Sequence, residues 1–252
     1  MSDLSEHIAL VTGGGRGIGQ AIACTLARAG AAVVVVARSA DEVDATVLKI
    51  HTEGGRAIAG VSDVVDAPAM NLICQSAEKA FGPIDILINN AAVVGPLGLF
   101  ATIDIDAWEY ACAINLLAPV RLTRSLLGPM CENGWGRIVN ISTGAVSNLN
   151  RNDAYNAYVT TKSGLEAHTL NLAAELAGSG VTVNALRPGI VDTEMQTFIR
   201  SQDPTVVGEN FHQRFVQRYL AGDLLSPEVP AAVLLDLVLG DQNGQIVSTK
   251  VL

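Results

Sequence analysis

The chain has 252 residues, of which 49% are hydrophobic and 16% charged, and a formal net charge of −9. That composition excludes a disordered polymer, and the acidic balance argues against nucleic-acid binding, which needs basic surface. No apolar run approaches the ~20 residues of a membrane span and Met1 to His7 lacks the basic start of a secretory signal, so the expectation is a cytoplasmic protein without a membrane partner.

The apolar run Ile8-Ala9-Leu10-Val11 reads as a buried strand. It leads into Thr12-Gly13-Gly14-Gly15-Arg16-Gly17-Ile18-Gly19 and then into Gln20 to Ala29, where Ile18, Ile22, Leu26 and Ala29 recur at helical spacing. Glycines at a strand-to-helix turn let backbone N–H groups and the helix dipole meet a phosphate. The spacing is Gly13-x-x-x-Gly17-x-Gly19, not the strict G-x-G-x-x-G.

Ala31 to Ala37 is a second apolar strand, and Ser39-Ala40-Asp41-Glu42 is a capping box opening a helix towards Thr52. Ala57 to Val61 is a third strand, and Asp66-Ala67-Pro68 opens a helix to about Phe81. Ile84 to Ile88 is a fourth strand, closed by Asn89-Asn90-Ala91-Ala92. A long helix is predicted over Ile105 to Cys131, bent near Pro119. Gly136 to Ser142 is a fifth strand, Ala154 to Ala177 a helix, and Val181 to Leu186 a sixth strand. Residues 192–224 read as a polar, irregular insert. Pro227 to Leu239 and Gln245 to Ser248 supply a last helix and strand.

Strands alternating with helices predict an α/β fold: one domain over 1–252, with a doubly wound parallel sheet and helices on both faces. The cysteines Cys24, Cys74, Cys112 and Cys131 form no C-x-x-C pair and read as reduced core residues, and the four histidines have no metal-ligand spacing. Ligands in such folds bind beyond the carboxyl ends of the strands. There stand Arg38, after the second strand, and Arg16, in the glycine turn. Two guanidiniums and no acid at that strand end favour a 2′-phosphate, hence NADP(H) over NAD(H). Asp63 could accept from an adenine amino group or be a plain turn aspartate. Tyr158 and Lys162 share a helix face at i and i+4. A nearby ammonium favours the phenolate, which lowers the tyrosine pKa and makes it a proton donor and acceptor.

The ordered set Thr12-x-x-x-x-Gly17-x-Gly19, Asn89-Asn90-Ala91, Asn115, Ser142-Thr143, Tyr158-x-x-x-Lys162 and Pro188-Gly189-x-x-x-Thr193 resembles the short-chain dehydrogenase/reductases over nearly the whole chain. The resemblance implies a Rossmann-like fold and reversible reduction of a small-molecule ketone, or of a 3-oxoacyl thioester, with NADP(H). It implies that Tyr158 exchanges a proton with the substrate oxygen, that Lys162 lowers the Tyr158 pKa and holds the nicotinamide ribose, and that Asn115 holds a relay water. A hydroxyl after the fifth strand orients the substrate; the family register falls on Thr143, with Ser142 as its rival. Gly13, Gly15, Gly17, Ile18, Gly19, Ser39, Asn90, Pro188, Gly189, Ile190 and Thr193 would line the dinucleotide, Asp63 and Val64 the adenine, and Arg16 and Arg38 the 2′-phosphate. Asn89 would support the central sheet. Ala92 stands where the family usually has Gly, and the tail Gly244 to Leu252 departs from the usual one, which bears on the expected homodimer or homotetramer. The alternatives are an NAD-linked alcohol dehydrogenase of the same family and a catalytically silent cofactor-binding sensor.

Overall fold

A computed structural model describes residues 4–149 and 154–249. The capping, turn and apolar signals place most elements within a few residues of their predicted bounds. Strands are β1 (Ile8–Thr12), β2 (Ala32–Ala37), β3 (Arg56–Val61), β4 (Ile86–Asn89), β5 (Gly136–Ile141), β6 (Val181–Arg187) and β7 (Ile246–Ser248). Helices are α1 (Gly17–Arg28), α2 (Ala40–Thr52), α3 (Ala67–Phe81), α4 (Ile105–Cys112), α5 (Ala118–Glu132), α6 (Asn156–Glu175), α7 (Glu194–Arg200), α8 (Pro204–Val207), α9 (Glu209–Leu220) and α10 (Glu228–Leu239).

The strands form one parallel sheet in the order β3-β2-β1-β4-β5-β6-β7. The order reverses between β1 and β4, and in such sheets ligands bind at that switch point, beyond the carboxyl ends of the strands. Alternate residues of each strand feed opposite faces. Ala9, Val11, Val33 and Val35 pack with α1, α2 and α10 through Ile22, Leu26, Val43, Ile50, Leu234 and Val238. Ile8, Leu10, Val34 and Val36 pack with α3, α5 and α6 through Met70, Cys74, Leu122, Met130 and Leu172. Two covered faces explain why β1 and β2 carry no polar alternation.

A buried polar chain crosses the second layer. Asn89 Nδ2 donates to Asn140 Oδ1 at 2.8 Å, and Asn140 Nδ2 donates to Thr169 Oγ1 at 2.9 Å. Asn89 therefore ties β4 to β5 and α6, as expected of it. All four cysteines are free thiols, and burial pushes the Cys74 thiol up to about 11.

Two predicted elements are corrected. The long helix over Ile105 to Cys131 is broken by a π-helical turn at Ala113–Leu117, not by Pro119, which sits harmlessly in the first turn of α5. The insert at 192–224 is largely helical (α7, α8 and α9) rather than irregular. Its polar composition belongs to the outer faces; Ile199, Val207 and Phe211 pack inward on Val94 and Ala154. Residues 150–153, inside the stretch from Thr143 to Tyr158, and 250–252, the end of the tail, lie outside the described residues, as do residues 1–3 of the segment read for a secretory signal.

Candidate active site

The glycine turn is fixed from beneath. Thr12 Oγ1 donates to Ile88 O (3.2 Å) and accepts from the N–H groups of Asn90 (3.0 Å) and Ala91 (3.1 Å). Asn90 Nδ2 donates to Thr12 O (3.0 Å) and Gly13 O (3.1 Å). Asn90 was expected to line a dinucleotide; its side chain holds the turn on which that site would stand. Gly19 packs so closely on this turn that a Cβ would collide with Gly13 O and lie 2.5 Å from Asn90 Nδ2. Gly17 has φ +53° and faces Thr193, whose Cγ2 would be 3.2 Å from a Cβ there. No side chain caps α1, so the first-turn N–H groups of Gly17, Ile18 and Gly19 present an anion-binding end. The Ile18 side chain turns down into the first core layer.

The proton-transfer groups come from α6, β5 and the π-helical turn. Tyr158 and Lys162 fall on one face of α6, as their spacing requires. The Thr143 side chain stands close enough to the Tyr158 hydroxyl to oppose the effect of burial on it. Lys162 is buried, and its Nζ donates to Ile141 O at 2.6 Å, 6.0 Å from the Tyr158 ring centre. Asn115 is fully buried in the π-helical turn. Its Oδ1 accepts from Val93 N (2.9 Å), and its Nδ2 donates to Val93 O (2.9 Å) and Thr161 Oγ1 (3.2 Å). Asn115 thus anchors the chain after β4 to α6.

The two rival hydroxyls separate cleanly. Ser142 and Thr143 follow β5 and reach different partners along α6. Ser142 Oγ donates to Glu166 Oε1 at 2.6 Å, inside a buried network in which Arg187 Nε and Nη2 donate to Glu166 at 2.8 and 2.7 Å. Ser142 is therefore removed from the candidate catalytic set. Thr143 caps the 3₁₀ turn Gly144–Ser147, accepting from Ala145 N at 3.2 Å, and faces Tyr158.

Electrostatics correct one expectation. Tyr158 as a residue is half-buried, but desolvation around its hydroxyl pushes its pKa up to about 12, against a smaller lowering by Thr143. Desolvation pulls the Lys162 ammonium down to about 7. The lowering of Tyr158 expected from its lysine neighbour is not found: burial sets the direction, and the opposing effect comes from Thr143.

The two arginines are not free of acids. Arg16 Nη1 lies 3.1 Å from Glu42 Oε1, and Arg38 Nη1 lies 3.9 Å from Asp63 Oδ2. Tyr110, from α4, donates its hydroxyl to Asp63 Oδ2 at 2.7 Å and accepts from Arg38 Nη1 at 3.4 Å. The expected absence of acid near the second strand is thus corrected: Glu42 and Asp63 arrive from α2 and from the end of β3. Ser39 Oγ accepts from Glu42 N as the N-cap of α2, and half-buried Val64 sits in the turn after Asp63. Pro188, Gly189 and Ile190 follow β6 directly. Ile190 O accepts from Leu225 N and Asp192 N donates to Leu225 O, both at 2.9 Å, so the loop is stitched to the far end of the insert. It carries Thr193 back against Gly17.

Tyr110, Glu42, Glu166 and Arg187 are the site neighbours that sequence reasoning missed. Glu166 stands four residues after Lys162, a signal that could have found it. Arg187 and Tyr110 carried none, since both pairings are long-range.

Residues 7–204 match the family model described as short chain dehydrogenase. The chain is 35% identical over 240 residues to the 3-oxoacyl-(acyl-carrier-protein) reductase FabG of Aquifex aeolicus, covering 93% of this chain and 90% of that protein. A solved actinorhodin polyketide ketoreductase with NADPH superposes with TM-score 0.87 at 30% identity, covering 98% of this chain and 97% of the other. A putative NAD(P)-dependent gluconate 5-dehydrogenase from Beutenbergia cavernae with bound NADP gives 0.85 at 31% identity, covering 99% and 97%. With its parallel sheet, glycine turn and Tyr158–Lys162 face in their expected places, the chain belongs to the short-chain dehydrogenase/reductase family of oxidoreductases.

Proposed function

We propose that this chain is an NADP(H)-dependent carbonyl reductase, with Tyr158 as the proton donor to the substrate oxygen. The carrying observation is the grouping on one face of α6: Tyr158 stands close to the Thr143 side chain, with buried Lys162 Nζ 6.0 Å from its ring centre. The glycine turn fits a dinucleotide, because its cradle has no room for a Cβ at Gly19 and its helix end is uncapped. The solved relatives with NADPH and NADP support the phosphorylated cofactor. Gly13, Gly15, Gly17 and the α1 N-terminus would hold the pyrophosphate, Arg16 and Arg38 the 2′-phosphate, and Pro188, Gly189, Ile190 and Thr193 the nicotinamide end. When bound, NADPH supplies the hydride that adds to the carbonyl carbon.

Thr143 Oγ1 and Tyr158 both donate to the carbonyl oxygen, which holds the substrate in register. A phenol pushed up to about 12 keeps its proton at neutral pH, the form that reduction needs. Tyr158 gives that proton to the oxygen, yielding a secondary alcohol, and the phenolate is reprotonated through Lys162. Asn115 keeps the Val93 backbone and α6 in place around this exchange. Ile199, Val207 and Phe211 of the insert, packed with Met195 and with Val94 and Leu97 of the loop after β4, build an apolar wall beside Tyr158, which suits a hydrophobic ketone or acyl chain. The expected homodimer or homotetramer is supported by the family resemblance.

The test is NADPH oxidation against small ketones, diketones and 3-oxoacyl thioesters, with NADH in parallel. Turnover with NADPH on at least one class supports the reading. Binding of NADPH with no turnover on any class contradicts it.

A further inference from the structure

Ser39-Ala40-Asp41-Glu42 predicts a capping box, in which the Glu42 carboxylate reaches back to the Ser39 N–H. The structure makes half of it. Ser39 Oγ accepts from Glu42 N at 3.4 Å, but Glu42 Oε1 turns to Arg16 Nη1 at 3.1 Å. The carboxylate lies against the glycine turn itself: a Cβ at Gly15 would sit 2.8 Å from Glu42 Cβ and 3.2 Å from Glu42 Oε2. An anion therefore occupies the guanidinium that the proposed function assigns to another anion. The pair is open to solvent, with Arg16 and Glu42 side chains 61% and 35% exposed, so it is weak and displaceable. Asp63 is less placed to compete. It stands 3.9 Å from Arg38 and its carboxylate already accepts from Tyr110.

We infer that Glu42 is a specificity-determining residue: its carboxylate competes with the adenosine 2′-phosphate for Arg16, and so narrows the preference for NADP(H) over NAD(H). The inference rests on the cofactor reading above. A phosphate dianion entering beside Glu42 meets like charge and must take Arg16 from it. A free ribose hydroxyl meets no such opposition, since a carboxylate can accept from it. Glu42 thus taxes one cofactor and spares the other.

The test uses calorimetric titration of the full chain with 2′-phospho-ADP-ribose and with ADP-ribose, which need no turnover. Glu42→Gln should raise the ratio of the two affinities by about three- to tenfold. High salt should shrink that gain. Arg16→Gln should lower the ratio, and in the double variant the effect of Glu42→Gln should vanish. Circular dichroism checks that each variant folds. An unchanged or lowered ratio in Glu42→Gln overturns the inference, because Glu42 then merely props Arg16. If ADP-ribose binds but Arg16→Gln leaves the ratio alone, the phosphate role of Arg16 fails as well. If wild type binds neither ligand, the dinucleotide reading itself fails.

Discussion

The network under the candidate site sets a measurable stability. Glu166 accepts three hydrogen bonds, from Ser142 Oγ at 2.6 Å and from Arg187 Nε and Nη2 at 2.8 and 2.7 Å. The Glu166 and Arg187 side chains are 10% and 20% exposed. Glu166→Ala removes all three bonds and leaves a largely buried guanidinium without its partner. Breaking a buried pair costs ~3–5 kcal/mol. The residual exposure of Arg187 lets water return, so the lower end, about 3 kcal/mol, applies here. For a chain of this size that is a fall in melting temperature of roughly 6–12 °C. Glu166→Gln keeps one acceptor oxygen and should lose about half as much. Glu166→Leu with Arg187→Met removes both charges and should recover most of the loss. Thermal unfolding by circular dichroism reads all three. A Glu166→Ala midpoint within 2 °C of wild type, about the shift of 1 kcal/mol or less, would refute the reasoning.

Other outcomes follow from the same geometry. Thr143→Val should lower kcat by ~10²-fold or more with little change in stability, whereas Ser142→Ala should cost about 1–2 kcal/mol of stability and spare kcat; steady-state kinetics and urea unfolding separate them. Lys162 falls from an ordinary value of 10.5 to about 7 on folding, so the unfolded chain holds more protons between those values and stability should rise with pH across that window. In urea unfolding at pH 7 and pH 9 the wild-type midpoint should rise more than that of Lys162→Met; equal rises would contradict the assigned burial. Gly19→Ala forces a methyl into Gly13 O, and should cost about 1–3 kcal/mol and weaken ADP-ribose binding by at least tenfold, read by unfolding and calorimetry.

Local signals made much of this molecule legible in the sequence. Ser39 and Asp66 cap the helices that their spacing predicts, since a cap depends on residues three apart. The apolar runs of β1 and β2 announced a sheet covered on both faces. Tyr158 and Lys162 were readable because a helix fixes i and i+4. What escaped reading depends on distant partners. Ser142 and Thr143 are neighbours of similar chemistry, and only the position of Glu166 on α6 decides between them. Arg16 and Arg38 looked like unopposed cations because Glu42 and Asp63 come from other elements. The π-helical turn at Asn115 has no local breaker in the sequence, and the partners Asn115 meets there, Val93 and Thr161, are distant along the chain. Burial of the Tyr158 hydroxyl, which reverses its expected pKa direction, is equally a property of the assembled site.

Tyr158→Phe tests the central claim most directly, with NADPH oxidation on whichever carbonyl class the wild type turns over and 2′-phospho-ADP-ribose affinity measured beside it. Loss of the proton donor should cut kcat by ~10²–10⁴-fold while the affinity stays within about twofold, because Tyr158 lies at the reacting end and not in the glycine turn. A variant that keeps more than a tenth of wild-type kcat would contradict the role assigned to Tyr158.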